Sequence, residues 1–304
     1  MIELPADRYG DVKGLFSPDF PNSTMLFSAL DDHTPGRVYV DRRHSPTWAI
    51  VVCHFGGTFV GGAIDQSTLN KGIAALHSQQ WIALVWPPED PPGLTLPPGA
   101  ARVIDRREFL DRRPAAGGAE RSDRPLPQGM SFRRIDAPLL ERCLWRDEMI
   151  EFYGTTDRFL MDGLGFCLMD GEEILSEAYA AFRGANRFEI GAITPEPHRG
   201  KGYAYLTCDH LAKTIEAQGI PTYWSCGRHN VASAATARRL GYRVERPYRW
   251  VHYERCWSDD PPNGHHVHLP NVEVWPSHKR GGAGRIAELA PEGQVFRGQV
   301  MLQR

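Results

Sequence analysis

The sequence predicts an α/β protein: an α+β mixed sheet with helices on both faces in the C-terminal half, preceded by an accessory α/β unit. Three stretches carry that expectation. "RFEIGAIT" (187–194) reads as a strand and runs into "EPHRGKGYAYL" (196–206), a glycine-rich basic turn at the start of a helix. "GFCLMDGEEILSEAYAAFRG" (165–184) reads as a hairpin, because Asp170-Gly171 supplies a tight turn between two β-capable runs. "RVYVD" (37–41), "TWAIVVCHFG" (47–56) and "WIALVW" (81–86) read as strands, with "STLNKGIAALHSQQ" (67–80) as a helix among them.

The elements divide the chain into three blocks. The accessory unit takes residues 1–128 and ends in a connector at about 87–127, where "PPEDPPGLTLPPGA" and "RRPAAGGAERSDRPLP" bracket the short mixed segment "ARVIDRREFL". The second unit takes 129–255. It opens with "MSFRRI" as strand, followed by "APLLERCLWRDEMIEFYG" and "TTDRFLMD" as helical segments. After the hairpin and the strand at 187–194 comes a helix that Gly219 and Pro221 stop; Leu206, Leu211 and Ile215 share one of its faces. "TYWSCG" is a strand, "NVASAATARRL" a helix capped by Gly241, and "YRVERPYRWVHY" a closing strand. Residues 256–304 form a polar extension rich in breakers, expected to hold loops and short strands.

Bulk properties narrow the function. The chain has 304 residues, and its net charge of −2 argues against a general nucleic-acid coat or a membrane-surface protein. Six scattered cysteines with no CxxC pair suit a reducing compartment and form neither a disulfide framework nor a zinc ribbon. No secretory leader pattern or membrane-length apolar run occurs, so the expected location is cytoplasmic. "HHVH" (His265, His266, His268) lacks Cys or carboxylate partners at metal-site spacing and reads as a solvated loop, so no metal is expected. The arginines at 106, 107, 112, 113, 121 and 124 lack interleaved aromatics and read as a basic connector.

A strand, a glycine-rich turn and a helix start make an anion cradle, since free N–H groups at the helix N-terminus face outward and glycines let a phosphate approach. The alternative for the same turn is a solvent-facing loop whose basic residues keep it soluble. "RGKGYA" fits the pattern Arg/Gln-x-x-Gly-x-Gly/Ala through Arg199, Gly202 and Ala204. With the element order across 129–255, the sequence resembles the GNAT superfamily of acyl-CoA-dependent N-acyltransferases. "GFCLMDGEEILSEAYAAF", "EIGAITPEPHRGKGYA", "YWSCGRHNVASAATARRLGY" and, upstream, "GRVYVDRRHSPTWAIV" look like the subgroup containing the zwittermicin A resistance protein.

The resemblance implies acetyl-CoA as cosubstrate, held by Ile193, Thr194, Arg199, Gly200, Lys201, Gly202, Tyr203, Ala204 and Asn230. In this assignment the Ile193 N–H polarises the thioester, and Asn230 serves as a pantetheine or helix-cap contact. It implies Glu189 as the base; the same residue could instead be a structural partner of a neighbouring Arg. The tyrosine that many relatives place four residues before the LGY glycine is replaced by Ala237, which leaves Ser225, Cys226 and His229 as individually weak substitutes. A nucleophilic Cys226 lacks a positioned base, and Cys226 and Cys208 read as core. The implied acceptor is an amine of a small molecule, an antibiotic or related metabolite among the candidates. The accessory unit has no cradle of its own and is expected to shape the acceptor pocket. Transfer of a longer acyl or aminoacyl group, a non-catalytic acyl-CoA-binding module and a homodimer all stay open.

Overall fold

The computed structural model describes residues 1–113 and 126–253, together with the backbone of 273–274 and 300–301. The "HHVH" run, Arg121, Arg124 and nearly all of the extension lie outside the described residues.

The strands are β1 (Ile2–Leu4), β2 (Gly36–Val40), β3 (Trp48–Cys53), β4 (Gly57–Gly62), β5 (Ile82–Trp86), β6 (Arg102–Arg112), β7 (Met130–Arg134), β8 (Gly165–Asp170), β9 (Glu173–Gly184), β10 (Arg187–Ile193), β11 (Thr222–Gly227) and β12 (Tyr242–Tyr253). They form one 12-stranded sheet in the order β1-β2-β3-β4-β5-β12-β6-β11-β10-β9-β8-β7. In the extension, β13 (Glu273–Val274) pairs antiparallel with β14 (Val300–Met301). The helices are α1 (Ser23–Leu30), α2 (Gln66–His77), α3 (Ala137–Leu140), α4 (Arg146–Tyr153), α5 (Thr156–Asp162), α6 (Tyr203–Glu216) and α7 (Val231–Leu240). The single helical run expected over 137–154 is broken into α3 and α4, and α1 has no counterpart in the sequence reading.

The segment 101–110, expected as a short mixed piece of a connector, is corrected by the structure. Arg102–Arg112 is a central strand, antiparallel to β12 on one side (Trp250↔Ile104) and to β11 on the other (Trp224↔Phe109). Its inward positions include Arg106 and Glu108, each 2% exposed, so a search for apolar alternation passes over it. Both charges are met inside. Glu108 accepts from the Tyr223 hydroxyl (2.7 Å) and the Asn22 N–H (3.0 Å), and it pairs with Arg246 at 2.8 Å. Arg106 donates to the Tyr248 hydroxyl (2.9 Å) and lies 3.8 Å from the centre of the Trp250 ring. The sheet therefore does not divide at residue 129, because β12 lies between β5 and β6.

Helix α6 turns Cys208, Leu211, Ala212 and Ile215 onto the sheet, where they pack with Phe188, Ile190, Trp224 and Leu240. Cys208 and Cys226 are both core residues. The polar edge of α6 is tied to β6 by Arg112, whose side chain is 1% exposed and pairs with Asp209 and Glu216. Lys213 also reaches Asp209, at 3.4 Å.

Between β10 and β11 the sheet opens. The two strands pair in parallel only through Phe188↔Thr222 and Glu189↔Tyr223, while β10 stays paired with β9 as far as Ile193. A register shift on the β9 side falls between Glu189 and Ile190, where the divergence begins.

Removing one partner from a buried ion pair strands the other charge, so Arg112→Ala is expected to cost about 3–5 kcal/mol of unfolding free energy. Urea denaturation checks this, with the exposed Arg113→Ala as a control expected to leave the midpoint nearly unchanged.

Candidate active site

The opening between β10 and β11 leads into a groove of about 500 Å³. Its floor is the β10 end and the turn that follows. Gly200 (φ 76°) and Gly202 (φ 82°) both sit in the left-handed region, and Gly202 caps α6. The first backbone bond of the helix runs from Leu206 N–H to Gly202 C=O, so the N–H groups of Tyr203, Ala204 and Tyr205 precede it and have no acceptor within the helix. A Cβ on Gly200 would meet nothing within 4 Å. Glycine is required there by conformation, and the space above it is open.

The structure brings most of the expected cofactor residues to this groove. Ile193, Thr194, Arg199, Gly200, Gly202, Tyr203 and Ala204 all line it. Arg199 is oriented by its Nε, which donates to the Thr194 carbonyl (3.1 Å). Lys201 is exposed and does not line the groove. Asn230 does not line it either; its side chain accepts from the Ser233 N–H (3.0 Å) and caps α7. The facing wall, missed in the sequence, comes from α7 through Ser233, Thr236 and Arg239. The Arg239 guanidinium stacks on the Tyr205 ring (4.1 Å), and its Nη1 is the nearest group to a Cβ built on Gly202 (3.8 Å). These features together fit a pyrophosphate: open N–H groups, permissive glycines, and cations on two sides.

Strand parity corrects the expectation for Ile193. Phe188 donates its N–H to the Pro221 carbonyl, so it faces β11. Backbone groups alternate along a strand, so Ile190 and Ala192 face the opening and Ile193 faces β9. The Ser176 hydroxyl on β9 accordingly donates to the Ile193 carbonyl (3.2 Å). The N–H groups aimed at the groove are those of Ile190 and Ala192.

A second, smaller cavity of about 30 Å³ adjoins the groove, with Ile190 common to both linings. Glu189 lines it and is 7% exposed. Its Oε1 accepts from the Ser225 hydroxyl (2.6 Å), and its Oε2 has no hydrogen-bond partner among the described residues. Burial raises its pKa to about 7, against the lowering effects of the Ser225 hydrogen bond and of Arg106. A carboxyl with a free oxygen and a pKa near neutrality can take up a proton from a bound group. Of the residues weighed in place of the absent tyrosine, Ser225 is committed to Glu189, Cys226 is core, and His229 is exposed and lines neither cavity. The phenols on the groove wall are Tyr203 and Tyr205. Among the described residues, no group of three or more His, Cys, Asp or Glu is arranged to hold a metal, and no helix is long and apolar enough to cross a membrane.

Residues 14–251 match the family profile described as GNAT acetyltransferase. The chain is 26% identical over 254 residues to an uncharacterized N-acetyltransferase, YdfB, of Bacillus subtilis (strain 168), covering 81% of this chain and 96% of the relative. Its fold is similar to that of a GCN5-related N-acetyltransferase-like protein from Streptococcus suis 89/1591 (TM-score 0.61, 22% identity, 81% of this chain and 99% of that one). It is also similar in fold to a tandem GNAT protein from the clavulanic acid biosynthesis pathway (TM-score 0.54, 12% identity, 83% and 96%).

Burial also raises Glu148 to about 8 and Glu177 to about 7, so three interior carboxyls fold more readily in their protonated forms. For such groups the folded state binds more protons than the unfolded one. Their stabilisation is complete below the unfolded pKa near 4.5 and is lost as pH rises through 7 to 8. The melting temperature is therefore expected to fall between about pH 5.5 and 8.5. Glu189→Gln, which removes one contributor, should make that fall shallower in calorimetric scans.

Proposed function

The chain belongs to the GNAT acetyltransferase family, and we propose that it transfers an acetyl group from acetyl-CoA to an amine of a small molecule by direct attack in a ternary complex. One observation carries this reading. The unpartnered oxygen of Glu189 belongs to a residue lining a cavity that shares Ile190 with the cradle-bearing groove. An amine in the cavity and a thioester in the groove would meet where β10 leaves β11.

When bound, acetyl-CoA supplies an activated acyl carbon, and the amine nitrogen displaces sulfur from it. The protein's part is positional and electrostatic. The N-terminal turn of α6, with Arg199 and Arg239, holds the phosphates. The N–H groups of Ile190 and Ala192 are open to the groove and would stabilise charge building on a thioester oxygen bound there. Glu189 receives the proton that the nitrogen loses as the new C–N bond forms, and Ser225 fixes the carboxyl for that role. The leaving thiolate takes its proton from solvent through the open groove.

Met25 on α1 and Arg106 on β6 line the acceptor cavity, which supports a pocket-shaping role for the accessory unit 1–128 beside the unit 129–255. The resemblance to the subgroup of the zwittermicin A resistance protein makes antibiotic-type amines the first acceptors to screen, by free-thiol release and product mass.

Gly202→Glu puts bulk and negative charge into the cradle at a left-handed position, and calorimetry should find acetyl-CoA binding abolished in a folded protein. Glu189→Gln keeps shape but cannot accept the proton. With any acceptor found in the screen, kcat should fall ~10²–10⁴-fold at unchanged acetyl-CoA affinity. Near-normal turnover in Glu189→Gln would move the base elsewhere.

A further inference from the structure

Glu189 is not the only carboxyl lining the 30 Å³ cavity; Glu148, on α4, lines it as well. Glu148 is 4% exposed, and the hydrogen bond it makes among the described residues is accepted at Oε1 from the Tyr179 hydroxyl (2.6 Å). No cation pairs with it among the described residues. Glu148 is not what anchors its helix either. The lead-in to α4 is pinned by Glu177, which accepts from the N–H groups of Leu144 (2.6 Å) and Trp145 (3.2 Å). A buried carboxyl with one neutral partner is a costly choice for packing, where an amide or an apolar side chain would serve better.

We propose that Glu148 is a second acceptor-binding carboxyl that, with Glu189, selects a primary amine on an unbranched carbon and rejects N-alkylated amines. The inference rests on the acetyltransferase reading for the role of Glu189.

Three observations support it. The cavity has space for about two water-sized groups, which matches a nitrogen and its first carbon. Each carboxyl is held at one oxygen by a hydroxyl from the sheet, Ser225 for Glu189 and Tyr179 for Glu148. Tyr179 is itself fixed, because its ring lies against Gly191 so closely that a Cβ there would come within 2.8 Å. The positive charge already present, on Arg106, is engaged with the Trp250 ring and the Tyr248 hydroxyl. A neutral primary amine in the cavity directs one N–H to Glu189, which takes that proton as the C–N bond forms, and keeps the other on Glu148, which fixes the direction of its lone pair. An N-methyl group replaces that N–H and needs volume the cavity lacks.

The test uses the full chain saturated with CoA and follows binding of n-butylamine and N-methylbutylamine by calorimetry. The wild type is expected to prefer n-butylamine by ~10-fold or more. Glu148→Gln should weaken n-butylamine ~10-fold and collapse the preference, with CoA affinity unchanged and the protein still folded. Tyr179→Phe, which frees the carboxyl without removing it, should fall between; it carries the test if Glu148→Gln does not fold. No binding of n-butylamine, equal affinity for the two amines in the wild type, or an undiminished preference in both variants overturns the proposal. CoA binding is measured first, and its absence in the wild type would overturn the acetyltransferase reading instead. A lost amine preference with CoA bound overturns only the role of Glu148.

Discussion

Everything at the site depends on β10 and β11 parting after two residue pairs. A parallel pair that continued would satisfy the backbone of Ile190 and Ala192 and close the sheet. Instead β9 holds β10 from one side to Ile193, while β11 turns away beneath α7. The groove, the outward N–H groups and the neighbouring cavity are consequences of that one divergence. Even the cradle follows from it, since the turn at Gly200 and Gly202 starts α6 at the mouth of the opening.

The interior charges separate into two kinds. Glu108, Arg112 and Asp209 are each met by an opposite charge, and they tie strands and helices that are far apart in sequence. Among the described residues, Glu148 and Glu189 each accept a hydrogen bond from a hydroxyl, and both line a cavity. Burial favours the neutral form of both, which is why these two titrate near or above neutrality. The same burial that costs stability at high pH brings both carboxyls into the range where a proton is taken up or released near neutrality.

The strand–turn–helix at 187–206 was legible because its signals are local: branched residues at strand spacing, glycines at left-handed positions, and an amphipathic helix behind them. The hairpin at Asp170-Gly171 was legible for the same reason. Strand β6 was not, because its inward residues are Arg106 and Glu108, whose partners Tyr223, Tyr248 and Arg246 lie more than a hundred positions away. Arg239 was missed likewise, since only the packing of α7 beside α6 brings it to the cradle. Glu189 was singled out by the resemblance together with its place on the strand, and the structure sets it in the cavity wall. Glu148 was not singled out, because nothing in "WRDEMIEFYG" distinguishes it from Asp147 and Glu151 until the helix is laid against Tyr179.

The position of β6 has a consequence for how the chain is made. Both of its neighbours, β11 and β12, are synthesised more than a hundred residues after it, so for that interval its two edges have no final partner. A strand waiting with bare edges is a template for pairing with other chains. Seven of the eleven residues in Arg102–Arg112 are charged, with both signs interspersed. That composition discourages intermolecular stacking while the strand waits. It also suits the finished sheet, where the same residues form ion pairs and hydrogen bonds. The charge that hides β6 from hydrophobic pattern-reading is thus also of the kind that disfavours pairing with other chains.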